Sequence, residues 1–309
     1  MSTIVREETP ALRGVAARAA PSHLGTELLL LLMALIWGVN YISVKYATEQ
    51  MPPLAFNGMR ITIAATALML VSLVTRGAWP DRRTTLALLF LGALGNGIYQ
   101  LFFIEGIART QAGAAALVLA ASPAVIAIIG RIRGVERVTG RRVIGIAASL
   151  VGMALVVFGT GRAAAHGPIT LEGNLLVLAA CVCWSLYTVL IKPYTERVES
   201  VRLSSLTMAG GAIPLLVVTG PAIAHTPWRA LPALAWTALL YSSIIALVVG
   251  YFFWYRGVKD IGPTRTALFS NLQPAVALVA AWPMLGEVPT ALQIVGAVAI
   301  MAGVLLTRA

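Results

Sequence analysis

One hydrophobic segment occurs twice in this chain, and that duplication limits the possible folds more than any other feature. The stretch GIARTQAGAAALVLAASPAV at 106–125 returns as GVKDIGPTRTALFSNLQPAV at 257–276. Gly106 aligns with Gly257 and Pro123 with Pro274 at a constant offset of 151 residues. The same offset carries Glu136, Thr139, Gly145 and Gly152 onto Glu287, Thr290, Gly296 and Gly303 without a gap. Upstream, Trp37 and Lys45 correspond to Trp184 and Lys192, each pair eight residues apart. A near-doubled apolar chain is the pattern of a transporter built from internal repeats, with its binding site between the halves.

The surroundings are lipid. Only 11% of the 309 residues are charged and 59% are hydrophobic, whereas a soluble domain carries about a quarter charged residues. The apolar runs last roughly 20 residues instead of alternating over about ten, which selects helices over a membrane barrel. The fold class expected is an all-α membrane protein of ten transmembrane helices. Spans are read at 26–46, 54–75, 84–104, 112–129 and 143–158, then 173–191, 203–223, 231–255, 264–285 and 290–307. Residues 1–25 read as a flexible cytoplasmic tail, 26–159 and 173–309 as the two five-helix repeats, and 160–172 as their linker.

A net charge of +11 invites a nucleic-acid reading, but the cations are placed for a membrane. With the N-terminus in the cytoplasm, 18 of the 23 lysines and arginines fall on inner segments and four on outer ones. That asymmetry sets both termini in the cytoplasm of an inner-membrane, multi-pass protein, and the basic residues meet anionic headgroups. Five spans per half is odd, so the second repeat crosses in the opposite sense to the first, an inverted repeat. The expected partners are a small-molecule solute and membrane lipids, with no nucleic acid, the chain acting as a monomer or weak homodimer.

Much chemistry is missing. No lysine follows a glycine, so no G-x-x-x-x-G-K-[ST] phosphate loop exists. Cys181 and Cys183 lie two apart on one predicted helix and face different ways, so neither a disulfide nor a metal pair is expected. His23, His166 and His225 fall in tails or loops. No catalytic residue, metal ligand or cofactor is assigned, and the chain is not expected to be an enzyme. The twelve acids all lie in loops or near span ends, whereas proton-coupled carriers place a titratable group at membrane depth. Facilitated diffusion or exchange is therefore expected, with Glu27 and Glu105 the residual relay candidates.

Polar and aromatic residues nevertheless recur on single helical faces. Trp37, Asn40 and Tyr41 sit at i, i+3 and i+4, and Trp184, Tyr187 and Thr188 repeat that spacing. Asn96, Tyr99, Gln100 and Phe103 form a stripe in the third span. Ser243, Tyr251 and Trp254 lie on the equivalent face of the eighth. Thr266, Ser270 and Gln273 recur at i, i+4 and i+7 in the ninth, with Asn271 beside them. Amides in lipid face a bundle interior or a watered cavity, and an aromatic lining without midplane charge suits a small neutral or zwitterionic solute. Headgroup anchoring competes with this reading for Tyr99 and Gln100, and fits the mid-span Trp37 and Trp184 poorly. Arg60, inside the second span, has two readings: snorkelling to the interface or a counter-charge site for a carboxylate. Pro123 and Pro274 each remove a backbone hydrogen bond at symmetry-related places, as hinges for alternating access or as simple bends. Gly145, Ser149, Gly152, Gly296 and Gly303 read as close-packing positions.

Several of these strings resemble one family. LIWGVNYISVKYA, PPLAFNGMRITIAATAL, the SPAV and QPAV helices and the ending GEVPTALQIVGAVAIMAGVLL are similar to EamA-type members of the drug/metabolite transporter superfamily. The likeness runs from about Leu28 to Leu306. It implies two inverted five-helix repeats that move small metabolites, often outward, through a cavity lined by the first, third, fourth, sixth, eighth and ninth helices. Within the family, the aromatic lining and lack of a midplane acid look most like the amino-acid exporters, YddG-like aromatic amino acid exporters included. Sugar or nucleoside carriers are the alternative.

Overall fold

The computed structural model describes residues 24–134, 140–158, 170–270, 272–286 and 288–308. The tail 1–23 with His23, linker residues 160–169 with His166, and Glu136, Thr139, Asn271 and Glu287 lie outside them. The described residues are helical throughout their long elements and contain no strand. In chain order the first four helices are α1 (Leu24–Gln50), α2 (Pro53–Val74), α3 (Arg82–Ala108) and α4 (Ala112–Ile132). Then come α5 (Gly140–Phe158), α6 (Leu171–Thr195), α7 (Ser200–His225) and α8 (Ala233–Ile261). Last are α9 (Pro263–Phe269, resuming as Leu272–Leu285) and α10 (Ala291–Arg308). Eight of these are long and apolar enough to cross a membrane; α5 and α10 carry the shorter apolar stretches Val143–Gly152 and Ala291–Gly303.

Local chemistry sets the helix ends. Pro53 opens α2, where its missing N–H is one of the four that a helix start leaves unpaired. Thr170 caps α6 by accepting from the Gly173 N–H at 3.0 Å. Thr290 and Gln293 form a reciprocal capping box on α10. The Gln293 N–H donates to Thr290 Oγ1 at 3.2 Å, and the Thr290 N–H donates to Gln293 Oε1 at 2.9 Å.

Polarity runs inside out. Large apolar side chains such as Leu73, Val74, Phe90, Ile213, Val217 and Trp282 are exposed, while Asn57, Arg60, Asn96, Gln100, Ser185 and Thr188 are buried. In water this distribution would leave a continuous apolar surface; in lipid it is the stable one. The protein is a multi-pass membrane protein.

Helix contacts obey a two-fold exchange of the repeats. α1 packs on α8 and α9, and α6 packs on α3 and α4; α5 meets α10, and α2 meets α7. Between α5 and α10, a Cβ on Gly152 would meet the Gly296 carbonyl at 2.6 Å, and one on Gly303 would meet the Ser149 N at 2.6 Å. These small residues are the close-packing positions that the sequence suggests. The lysines obey the same exchange. Lys45 of α1 donates to Ile107 and Ala108 carbonyls at the end of α3, at 3.5 and 3.3 Å. Lys192 of α6 donates to Val258 and Lys259 carbonyls near the end of α8, at 3.1 and 3.3 Å.

Among the described residues, four helices leave regular α-helical geometry, also in symmetric pairs. α3 widens to π geometry over Ala93–Ile98 and α8 over Tyr241–Val249. α4 breaks at Ala120 and Ala121, and α9 breaks at Ser270. The sequence predicts a kink made by Pro123 and Pro274 within continuous helices. Instead, each proline lies in the first turn of a new segment, Ser122–Ile132 and Leu272–Leu285, where no N–H is missed.

Candidate functional site

Where the interrupted helices converge, a central cavity is lined by residues of both repeats. α1 supplies Trp37, Asn40 and Tyr41; α2 supplies Arg60; α3 supplies Tyr99, Gln100 and Phe103; α4 supplies Leu119 and Ser122. From the second repeat come Trp184 of α6, Ala246, Leu247, Tyr251 and Trp254 of α8, and Ala267, Ser270 and Gln273 of α9. Its free volume is about 50 Å³, room for a few waters and far below the roughly 300–1,000 Å³ of ligand pockets.

Aromatic rings take up the remaining space. Trp37 meets Trp184, Tyr251 and Trp254 at centroid distances of 5.9, 5.7 and 5.6 Å. Trp184 lies 5.1 Å from both Tyr99 and Trp254, and Tyr41 lies 5.8 Å from Phe103. Edge and tilted contacts at these distances each stabilise by about 0.5–1.5 kcal/mol beyond area burial. The repeat-related tryptophans therefore meet at the centre, each from the first helix of its own repeat.

A polar seam runs along one wall. The Arg60 guanidinium donates from Nε to Asn57 Oδ1 at 3.2 Å, from Nη1 to Ser242 Oγ at 2.9 Å, and from Nη2 to Gln100 Oε1. Ser242 in turn donates to Asn40 Oδ1 at 2.7 Å. Phe56 and Phe103 each hold a ring face 5.5 Å from the Arg60 carbon. Across the cavity Tyr41 donates to Gln273 Oε1 at 3.4 Å. Loosened backbone also takes part: Trp37 Nε1–H donates to the Ala246 carbonyl at 2.9 Å, inside the π segment of α8. Among the described residues, Trp254 Nε1 and Gln273 Nε2 are buried donors without an acceptor. Also among the described residues, no carboxylate lines the cavity, and no His, Cys, Asp and Glu group could hold a metal. Glu105, a relay candidate, pairs instead with Arg109.

Of the residues singled out in the sequence, Trp37, Asn40, Tyr41, Tyr99, Gln100, Trp184, Tyr251, Trp254, Ser270 and Gln273 line this cavity. Asn96, Tyr187 and Ser243 do not. Asn96 lies inside the α3 π segment and packs beside Gly211 of α7. Ser243 lies inside the α8 π segment and donates back to Leu239 at 2.6 Å. The i→i+5 bonds of a π segment insert an extra residue, so a face projected at α-helical spacing loses phase there, and Ser242 turns inward in place of its neighbour. Tyr187 reaches past the cavity. Its hydroxyl bonds that of Tyr255, which also lies 3.1 Å from Thr207 Oγ1, and its ring covers Gly95. Arg60 does not snorkel; it is 1% exposed and faces the cavity. Ser122 was missed by sequence reasoning, although its place beside Pro123 marks where a helix restarts.

The EamA-like transporter description matches residues 24–158 and, a second time, residues 171–309. The chain belongs to the EamA-like transporter family. It is 29% identical over 284 residues to a probable amino-acid metabolite efflux pump of Salmonella typhimurium, covering 89% of this chain and 92% of the relative. It is 26% identical over 277 residues to a probable terminal-alkyne amino-acid exporter of Streptantibioticus cattleyicolor, covering 90% and 91%. A solved crystal structure at 18% identity superimposes with a TM-score of 0.67 over 92% of this chain and 98% of its own, which speaks for the fold. In this EamA chain the two family copies carry the two halves of the aromatic cluster, Trp37 in one and Trp184 in the other.

Proposed function

We propose that this EamA chain is a ten-span secondary carrier that exports small neutral or zwitterionic amino acids, aromatic ones among them, by alternating access. The observation that carries this reading is the contact of Trp37 and Trp184 at the centre of a cavity built from both repeats. A site shared by two symmetry-related halves can be exposed to either side when one half rocks against the other. Trp, Tyr and Phe faces offer apolar and cation–π contact to an aromatic or ammonium-bearing solute, and the names of the two relatives point to the same class.

The small free volume fits a carrier whose cavity rings are packed together. A solute enters only when the rings part; two of the four helices that bear them, α3 and α8, carry π segments, and α4 and α9 beside them, which bring no ring to the cavity lining, break at Ala120 and Ser270. The cation asymmetry of the sequence supports an inner-membrane placement with both termini in the cytoplasm. The lack of a cavity carboxylate among the described residues favours a facilitator or exchanger over obligatory proton coupling.

Counterflow in proteoliposomes, with a mixed amino-acid pool read by mass spectrometry with and without a pH gradient, tests this reading. Saturable exchange of large neutral amino acids, indifferent to pH, is the expected result. Exchange of sugars or nucleosides in place of amino acids would discard the substrate class. Accumulation driven by a pH gradient and abolished by Glu105→Gln would discard the facilitator.

A further inference from the structure

The geometry points to Arg60 as the site that receives the carboxylate of the transported solute, an inference that rests on the amino-acid reading above. A guanidinium has five N–H donors, and three are used by Asn57, Ser242 and Gln100. Those acceptors are all neutral. Among the described residues no carboxylate pairs with Arg60, which is 1% exposed. A buried cation without a counter-charge is costly, and phenyl faces and neutral hydrogen bonds offset only part of that cost. Two N–H groups are left for a ligand, one on each terminal nitrogen, and an arginine fork suits carboxylate oxygens.

The rest of the cavity agrees in sign. Trp254 Nε1 and Gln273 Nε2 are donors lacking acceptors among the described residues, and both belong to residues that line the same space. Unmet donors and an unpaired cation are complementary to an anion, whereas a purely cationic solute would be repelled. The symmetry sharpens the point. Arg60 stands seven residues into α2, and the residue seven into α7 is Thr207, whose hydroxyl is taken up by its own helix and by Tyr255. The charge is therefore present on one side only, so it orients an asymmetric solute: carboxylate towards α2, side chain among the tryptophans. Asn57, Ser242 and Gln100 are positioning residues that hold the fork.

The test uses full-length protein in detergent, with cavity tryptophan fluorescence reading the binding of four probes. These are L-phenylalanine, 3-phenylpropionate, 3-phenylpropionamide and phenethylamine. The expected result is that both carboxylates bind and that 3-phenylpropionate binds at least tenfold tighter than its amide, the scale of charge-assisted hydrogen bonds. Arg60→Gln should weaken both carboxylates roughly ten- to a hundredfold and level acid and amide. Equal binding of acid and amide by the wild type overturns the assignment without need of a variant, as does preference for phenethylamine. Unchanged carboxylate affinity in Arg60→Gln overturns it too. If 3-phenylpropionate binds through Arg60 while amino acids fail in counterflow, the carboxylate site stands and the amino-acid reading falls.

Discussion

The two lysine clamps offer a prediction that the duplication itself makes quantitative. The last four carbonyls of a helix lack intrahelical donors, and the negative end of the helix dipole favours a cation there. Lys45 and Lys192 each satisfy two such carbonyls on the third helix of their own repeat. Their surroundings differ: Lys45 is 7% exposed, whereas the Lys192 side chain is 27% exposed and shares its charge with Glu196 at 3.0 Å. Lys→Met keeps length and removes the ammonium. At Lys45 the carbonyls stay buried and unmet, a loss of about 2 kcal/mol. At Lys192 water can replace the donor, and exposed pairs contribute little, so the loss is about 1 kcal/mol. The clamps sit on different helix pairs, so the double variant should lose about 3 kcal/mol. Unfolding in mixed dodecylmaltoside and SDS micelles, read by tryptophan fluorescence, measures all three. Equal losses, or a larger loss at Lys192, would refute the argument from burial; Lys45→Arg should recover part of the stability if charge is what matters.

Other substitutions test the site and its frame. Trp37→Phe removes the donor to the Ala246 carbonyl, and should cost about 1 kcal/mol of stability while changing solute affinity in counterflow. Trp37→Ala and Trp184→Ala should alter affinity in protein that still elutes as a single species; normal transport by both would show that the cavity is not the site. Gly210→Ala would drive a Cβ against the Leu89 Cα and carbonyl carbon, at 2.6 and 2.7 Å. Backbone cannot swing aside, so a loss of roughly 1–3 kcal/mol should appear as a lower melting temperature. Gly262, between α8 and α9, holds φ 86° and ψ 163°, a region open in practice to glycine alone. Gly262→Ala should lose about 1–3 kcal/mol in the same assay although nothing crowds the added methyl.

Periodicity served the sequence reading well where the helices are regular and failed where they are not. Trp37 with Asn40 and Tyr41, and Tyr251 with Trp254, keep α-helical phase over one turn, and all five line the cavity. Asn96 and Ser243 fall within π segments, which no residue pattern announces and which rotate a projected face away. Tyr187 shows a different limit. By spacing it is the mate of Asn40, but the space over Gly95 admits its ring, and a partner hydroxyl on Tyr255 holds it outside the lining. Arg60 shows the reverse. The sequence leaves it between interface and interior, and only the packing of α3 and α8 around it closes the route to the surface. Helix breaks at Ala120 and Ser270 were legible as proline positions, but not the fact that each break precedes its proline.

The distribution of regular and irregular backbone separates the parts that can yield from the parts that cannot. α5 and α10 meet through Gly152 and Gly303 at backbone distance, away from the cavity, and have no interruption among their described residues. α3, α4, α8 and α9 all line the cavity, and each has a widened or broken ladder. A π segment or a break leaves carbonyls partly unmet, so bending there forfeits fewer hydrogen bonds than bending a regular helix. Side chains such as Trp37 hold one of those carbonyls in the contracted state, and a solute that separates the rings must break that bond. The ring contacts of about 0.5–1.5 kcal/mol each are lost at the same moment. An aromatic solute would restore equivalent contacts, and an apolar solute without a ring would restore fewer. On the proposed carrier reading, discrimination in this cavity follows from the cost of opening as much as from the fit of the open form.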